Sequence, residues 1–480
     1  MEKPYSLLTR ACHFFPDKTA LISSEKTLSF AEFSRACSAL HNNFSQLGIN
    51  PGDRVAILSP NSWQMLVIIH ALIEYGATVS PQNTRNPANQ IQQAVITISP
   101  HIIFYENSMK PLLPRGSHAI CIEEFIDKLS RNHTVIPPKS EANFKKPASI
   151  IFTSGSASQP KAAVHSYENH FYSALGSQTN IPVTENDRWL LSLPLYHIGG
   201  LAISFRTFLA GGAIVIPANR DSILQNIAKF KITHISLVAA QLHRLLQQEN
   251  AVPVLKKCKA ILLGGSAISP ALLTKAQQAD LPMHCSYGST EMSSQITATA
   301  AAARENELKT SGRVLPGREV KISPENDIYV RGETRFLGYL ENGKLALPFD
   351  REGYFHTGDL GYFDAQKNLV VTGRKDNMFI SGGENIQPEE IEKALVEIEG
   401  VAAAIVVAVP HAEFGQRPVS FVKWNGEPHS ADKLSNLLEK KLARFKIPDS
   451  FLPWPDEIQM TELKIDRQFF KSKAADPARC

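Results

Sequence analysis

The chain has 480 residues, 43% apolar and 20% charged, the make-up of a globular protein too long for one core, so two or more domains are expected. Its formal net charge of +4 comes without a long basic run, which argues against a nucleic-acid partner. The six cysteines, at 12, 37, 121, 258, 285 and 480, include no C-x-x-C pair, so scattered reduced thiols are expected, not a disulfide framework or a zinc site.

In chain order, the first segment, MEKPYSLLTRACHFFPDKTAL, has no apolar core of signal-peptide length. The longest apolar stretch, 65–73, is interrupted by His70 and followed by Glu74. It is too short to span a bilayer and reads as a core helix, so a cytoplasmic protein without stable membrane insertion is expected. From about residue 50 to 290, apolar runs at 55–58, 102–105, 149–153, 189–193, 213–216, 234–237, 260–263 and 283–286 predict strands. Amphipathic stretches such as 64–75, 87–97 and 241–248 predict helices between them. Strands alternating with helices predict an α/β fold with parallel sheets flanked by helices. After 312 the density of glycine and charge rises, and DIYVR (327–331) alternates like a strand with one wet face. A large domain is therefore expected over 1–373, with sheet subdomains over about 1–311 and a β-rich module over about 312–372. The boundary is expected at a charged pivot, 374–376. Residues 377–480, including the apolar run 401–409, are expected to form a small α+β domain.

Several short segments carry chemistry. TSGSASQPK (153–161) follows an apolar run. A strand, then hydroxyls and glycine, then lysine can cradle a phosphate, though the same composition also suits a solvated serine-rich turn. It is not a Walker loop, because Pro160 precedes Lys161 and Ala162 follows it. YGSTE (287–291) can stack a base and hold a divalent cation through one carboxylate; it can equally be a tight turn with a surface glutamate. YFHTGDLG (354–361) places Asp359 after a glycine. An ionised carboxylate there suits a ribose diol, being acceptor-only. LPLYHIGG (193–200) contains His197, and Gly264-Gly265-Ser266 follows the run 260–263. In GRKDNMFISGGENIQPEEIEK (373–393), the glycine pair Gly382-Gly383 admits close backbone approach, and Pro388 with Glu389 and Glu390 suits a helix start.

These segments, in this order, resemble the signatures of the acyl-adenylate-forming superfamily, which includes acyl-CoA synthetases, adenylation domains and luciferases. The resemblance runs from FPDKTAL (15–21) to KIDRQFFK (464–471). It implies a large domain, a hinge at Asp376 and a mobile C-terminal lid. It further implies that Thr153, Ser154, Gly155, Ser156 and Lys161 grip phosphates, and that Tyr287 and Gly288 meet adenine. Thr290 meets phosphate, Glu291 holds Mg²⁺, and Asp359 binds ribose with Arg374 as partner. Gly264, Gly265 and Ser266 line the acyl and adenine pockets, His197 gates the acyl pocket, and Gly382 and Gly383 line a pantetheine channel. Lys464 is the catalytic ammonium near the carboxylate and α-phosphate. Ala157, Ser158 and Leu463 depart from the usual pattern, taking one hydroxyl and two glycines from it. KAAVHSYENH (161–170), LLSLPLYHIGGL (190–201), SGGENIQPEEIE (381–392) and KLARFKIPD (441–449) are most similar to o-succinylbenzoate–CoA ligases of menaquinone biosynthesis. That likeness implies ATP, Mg²⁺, coenzyme A and a small carboxylic acid as ligands. Arg206, His197, Gln241 and Arg244 are candidates for a second substrate carboxylate. Other acyl- or aryl-CoA ligases, enzymes that load a carrier protein, and a non-catalytic nucleotide binder remain alternatives. The sequence leaves the oligomeric state open, a homodimer included.

Overall fold

The computed structural model describes residues 6–129, 144–153, 160–217, 223–265, 268, 270–301, 303, 305–381, 384–411, 413–458 and 467–474. Strand residues alternate between separate apolar environments, as a sheet covered on both faces requires. Val55 and Ile57 enter one buried cluster, while Ala56 and Leu58 enter another. Likewise Trp189 and Ile214 face the first cluster, and Leu190 and Val215 face a third.

Among the described residues, this patterning builds two large sheets. The eight-stranded one has a parallel run of Thr78–Pro81, Arg54–Leu58, Ile102–Tyr105 and Ala119–Cys121. The nine-stranded one runs parallel through Met283–Ser289, Ala260–Leu263, His234–Leu237, Arg188–Leu190, Ala213–Val215 and Thr19–Ile22. Antiparallel pairs flank the parallel runs, such as Thr27–Ser29 at one edge of the nine-stranded sheet and Gly338–Glu341 beside Ala162–Ser166 toward one edge of the eight-stranded one. The parallel α/β expectation thus describes the sheet centres. The antiparallel edges come from short strands without a clear apolar run.

Helices Phe30–Gln46, Trp63–Tyr75, Tyr167–Gln178 and Ile198–Ala210 share one core with the inner faces of both sheets. Trp63–Tyr75 is buried from Met65 through Ile73, which explains why its sequence is apolar nearly all round. Phe30–Gln46 begins with a reciprocal cap. The Glu32 N–H donates to Ser29 Oγ at 3.2 Å, and the Ser29 N–H donates to Glu32 Oε2 at 2.8 Å.

A four-stranded antiparallel sheet, Glu319–Ile322, Asp327–Arg331, Phe355–Phe363 and Leu369–Arg374, packs beside Met292, Ile296 and Ala163. Beyond it, Val401–His411 and Gly415–Trp424 form a long hairpin joined in parallel by Ser450–Pro453. Helix Pro388–Val396 covers this sheet through Ile391 and Leu395, which meet Val406 and Val422. The buried clusters of this part contain only residues from Phe379 onward. Among the described residues, no helix is long and apolar enough to cross a membrane.

Candidate active site

In parallel sheets, ligands bind beyond the carboxyl ends of the strands, and several of the singled-out segments lie there. Thr153 follows strand Pro147–Phe152. Its N–H donates to the Lys161 carbonyl at 2.9 Å, and the Lys161 N–H donates back to Thr153 Oγ1 at 3.3 Å. The two ends of the hydroxyl-rich segment are therefore stitched together. Ser154, Gly155, Ser156, Ser266, Gly382, Gly383 and Lys464 lie outside the described residues.

Strand Met283–Ser289 runs into a 3-10 turn, Thr290–Met292. Gly288 is required there, since a Cβ would collide with the Ser294 carbonyl. The hydroxyl of the half-buried Tyr287 donates to Asp359 Oδ2 at 2.5 Å. Arg374 Nη1 donates to Asp359 Oδ1 at 3.1 Å, and Nη2 donates to Asp376 Oδ2 at 3.1 Å. Gly358 sits at φ +74°, and a Cβ there would crowd the Arg374 guanidinium at 3.0 Å. The carboxylate thus accepts from Tyr287 on one oxygen and from Arg374 on the other, which fixes its orientation.

Glu291 Oε1 accepts from the Tyr339 hydroxyl at 2.7 Å, and the Lys161 ammonium lies 5.0 Å from the centre of the same tyrosine ring. Glu291 Oε2 takes no hydrogen bond among the described residues. These residues also contain no cluster of three histidine, cysteine or acidic side chains fit for a metal. A cation at Glu291 would thus draw its other ligands from phosphate and water, the habit of Mg²⁺. His165, fully buried, meets the Thr290 carbonyl through Nε2 at 2.7 Å. A carbonyl only accepts, so Nε2 carries the proton, and burial holds the ring neutral with its pKa lowered to about 4.

His197 is the N-cap residue of Ile198–Ala210, with its ring against Tyr196 at 4.7 Å. Gly264 and Gly265 follow Ala260–Leu263, and Gly265 takes a left-handed φ of +81°. Arg206 is 2% exposed. Its Nη2 donates to Ser294 Oγ at 3.0 Å, just beyond the Glu291 turn, and its guanidinium lies 5.6 Å from the Trp189 ring. Its Nε has no partner among the described residues. Burial lowers its pKa to about 10, leaving it cationic at neutral pH. Gln241 is engaged as a helix cap, its Oε1 accepting from the Val238 N–H at 3.0 Å. Arg244 stands elsewhere. With His243 it lines a cleft of about 830 Å³ against Lys423 and Trp424 of strand Gly415–Trp424 and against Trp454.

The segment leading to Asp376 is tied to the four-stranded sheet. Lys375 Nζ donates to both oxygens of Asp327, at 2.9 and 2.8 Å, and His356 Nε2 meets Asp327 Oδ1 at 2.8 Å. Sequence reading missed Tyr339, His165 and the Lys375–Asp327 pair. His165 lay in 161–170 without a role, Lys375 was read only as part of the charged pivot 374–376, and Tyr339 lay in no segment singled out.

The family comparison is decisive. A model of the AMP-binding enzyme family matches residues 8–340, and one of the AMP-binding enzyme C-terminal domain matches 390–463. The chain belongs to the AMP-binding enzymes. Within the family it is similar to the 2-succinylbenzoate–CoA ligase of Escherichia coli, at 34% identity over 455 residues that cover 94% of each chain. A second AMP-binding enzyme, the 2-succinylbenzoate–CoA ligase of Listeria monocytogenes, is 33% identical over 92% of this chain and 93% of its own. The o-succinylbenzoate CoA synthetase of Bacillus subtilis, solved with its acyl-adenylate intermediate, superposes with a TM-score of 0.88. It is 28% identical, with 98% of this chain and 99% of that chain covered.

Proposed function

We propose that this AMP-binding enzyme is an acid–thiol ligase that makes o-succinylbenzoyl-CoA from 2-succinylbenzoate, ATP and coenzyme A, the step that serves menaquinone biosynthesis. The observation that carries the reading is end-to-end similarity to two ligases of that name, joined to a site in which Lys161 and Glu291 meet on Tyr339 and Tyr287 holds Asp359.

A carboxylate resists nucleophilic attack because its charge repels the nucleophile and oxide leaves poorly. In the first step a substrate carboxylate oxygen bonds to the α-phosphorus of ATP while the bond to pyrophosphate breaks. Negative charges converge, so the protein must offset them. Thr153 and Lys161, with Ser154, Gly155 and Ser156 between them, hold the phosphates. Thr290 adds a hydroxyl, and Glu291 holds Mg²⁺. When bound, that ion supplies positive charge to the phosphate oxygens. Tyr287 and Gly288 seat the adenine, and Asp359 takes the ribose diol while Arg374 keeps its carboxylate oriented. Lys464 brings its ammonium to the carboxylate and α-phosphate. In the second step the thiol sulfur bonds to the acyl carbon, AMP leaves, and the thiol proton passes to solvent. Gly382 and Gly383 leave a narrow channel for the thiol arm.

The acid itself lies beside His197, Gly264, Gly265 and Ser266. Arg206 is the best of the four candidates for its second carboxylate, being a buried cation with an unpartnered Nε and no carboxylate partner among the described residues. The same reading divides the chain at 374–376 into a large domain, 1–373, and a lid, 377–480. Lys464 and Gly382–Gly383 lie on that lid, which must turn between steps to present each in order.

Mass spectrometry of the thioesters formed from a mixture of 2-succinylbenzoate, benzoate, cinnamate and a fatty acid tests the assignment. o-Succinylbenzoyl-CoA should dominate. Equal turnover of benzoate would count against a site built for two carboxylates. Acyl-adenylate without any thioester would favour a carrier-protein acceptor.

A further inference from the structure

Two of the phosphate-handling segments are far apart in sequence yet meet on one side chain that belongs to neither. Tyr339 lies on Gly338–Glu341 and pairs in register with Ala163 of Ala162–Ser166, the strand that leaves the phosphate loop. That register sets its ring beside Lys161, with the ammonium 5.0 Å from the ring centre. Its hydroxyl then reaches across to Glu291 Oε1 at 2.7 Å. The ring is 6% exposed and fixed by Phe336, edge-on at 4.8 Å. The Phe336 N–H in turn donates to the Glu291 carbonyl at 2.8 Å.

From this geometry we propose that Tyr339 is a positioning residue for the nucleotide's phosphate–metal cluster. Its hydroxyl fixes one oxygen of Glu291, leaving the other for the cation, and its ring face fixes Lys161 at a set distance from that cation. A carboxylate that accepts a charge-assisted bond on one oxygen loses rotational freedom. It also cannot turn to pair directly with Lys161, a contact that would spend both charges on each other. The ring attracts the ammonium without neutralising it. The inference rests on the reading of Glu291 as the metal carboxylate.

The test is calorimetric ATP binding by the full-length chain, without acid substrate, across a Mg²⁺ titration, with AMP as the metal-free probe. Tyr339→Phe keeps the ring and removes the hydroxyl. It should raise the Mg²⁺ concentration for half-maximal ATP binding about tenfold, the scale of a lost hydrogen bond to a charged group, and leave AMP affinity within about twofold. Tyr339→Leu should also weaken ATP binding without Mg²⁺, because Lys161 loses its platform. Adding Tyr339→Phe to Glu291→Gln should produce no further shift in the Mg²⁺ midpoint, since the tyrosine acts through that carboxylate. An unchanged Mg²⁺ midpoint in Tyr339→Phe alongside a shifted one in Glu291→Gln overturns the proposal and spares the metal reading. Unchanged midpoints in both overturn the two together. Equal losses of AMP and Mg²⁺-ATP affinity in Tyr339→Phe would reduce the tyrosine to packing and also overturn the proposal.

Discussion

Single side chains here hold several partners at once, and that sharing defines the site. Asp359 is bonded by Tyr287 on one oxygen and Arg374 on the other. By resemblance Tyr287 was expected to pack on adenine, and it also orients the carboxylate proposed for the ribose. That second task was not legible, because it depends on two strands meeting 72 residues apart in sequence. Lys464 has the opposite profile. Its role rests on the ELKIDRQ pattern (462–468) alone. Lys464→Ala should therefore abolish adenylation and spare thiolysis of supplied acyl-adenylate. Single-turnover pyrophosphate release checks the first half and thioester formation from synthetic adenylate the second. Adenylation within about tenfold of wild type, a loss of under ~1.4 kcal/mol, would remove the lysine from the mechanism.

At the level of elements, most of the parallel strands were legible as apolar runs, because burial on both faces leaves little room for polar residues. The run 401–409, which begins strand Val401–His411, was legible for a related reason, the burial of Val401 and of Ala404 through Val407. Edge strands were not, since Thr27–Ser29 and Ala119–Cys121 have three residues each and one partner side. Helix Phe30–Gln46 was also missed, yet its start is marked by Ser29 and Glu32 at capping-box spacing. Ser29→Ala should lower the unfolding free energy by about 1 kcal/mol with activity unchanged, read as a shift in the urea midpoint at constant slope. The turn proposed for the thiol channel makes a different demand. Gly383→Trp should block thioester formation from acyl-adenylate and leave pyrophosphate release intact. Equal damage to both steps would refute a lid with two working faces.

Across the whole molecule, buried histidines dominate the response to acid. His70 packs among Phe33, Phe205 and Phe208, and burial lowers its pKa to about 3. His165 and His234 fall to about 4, and His170 is pushed well below its usual range, each mainly by burial. In the unfolded chain these rings take up protons near pH 6.5. Their stabilising share is complete above that pH and is lost as the pH falls toward 4. Half-buried Glu74, pushed up to about 7 by desolvation, works the other way and offsets roughly one histidine. Between pH 7 and 5 the protein should lose roughly 4–6 kcal/mol of stability. His70→Phe should remove about 2 kcal/mol of that loss. Urea unfolding at the two pH values measures both, and an unaltered slope in the variant would contradict the account.

The joint proposed between body and lid has a geometry of its own. Arg374 is moored to Asp359, and Lys375 next to it is moored to Asp327. These ion pairs favour a swivel that starts at Asp376, the hinge proposed above. An axis set this close to the ribose seat gives small displacements nearby and long arcs at the far rim. On the proposed reading, the nucleotide end would stay in register while distant loops traded places above the acyl group.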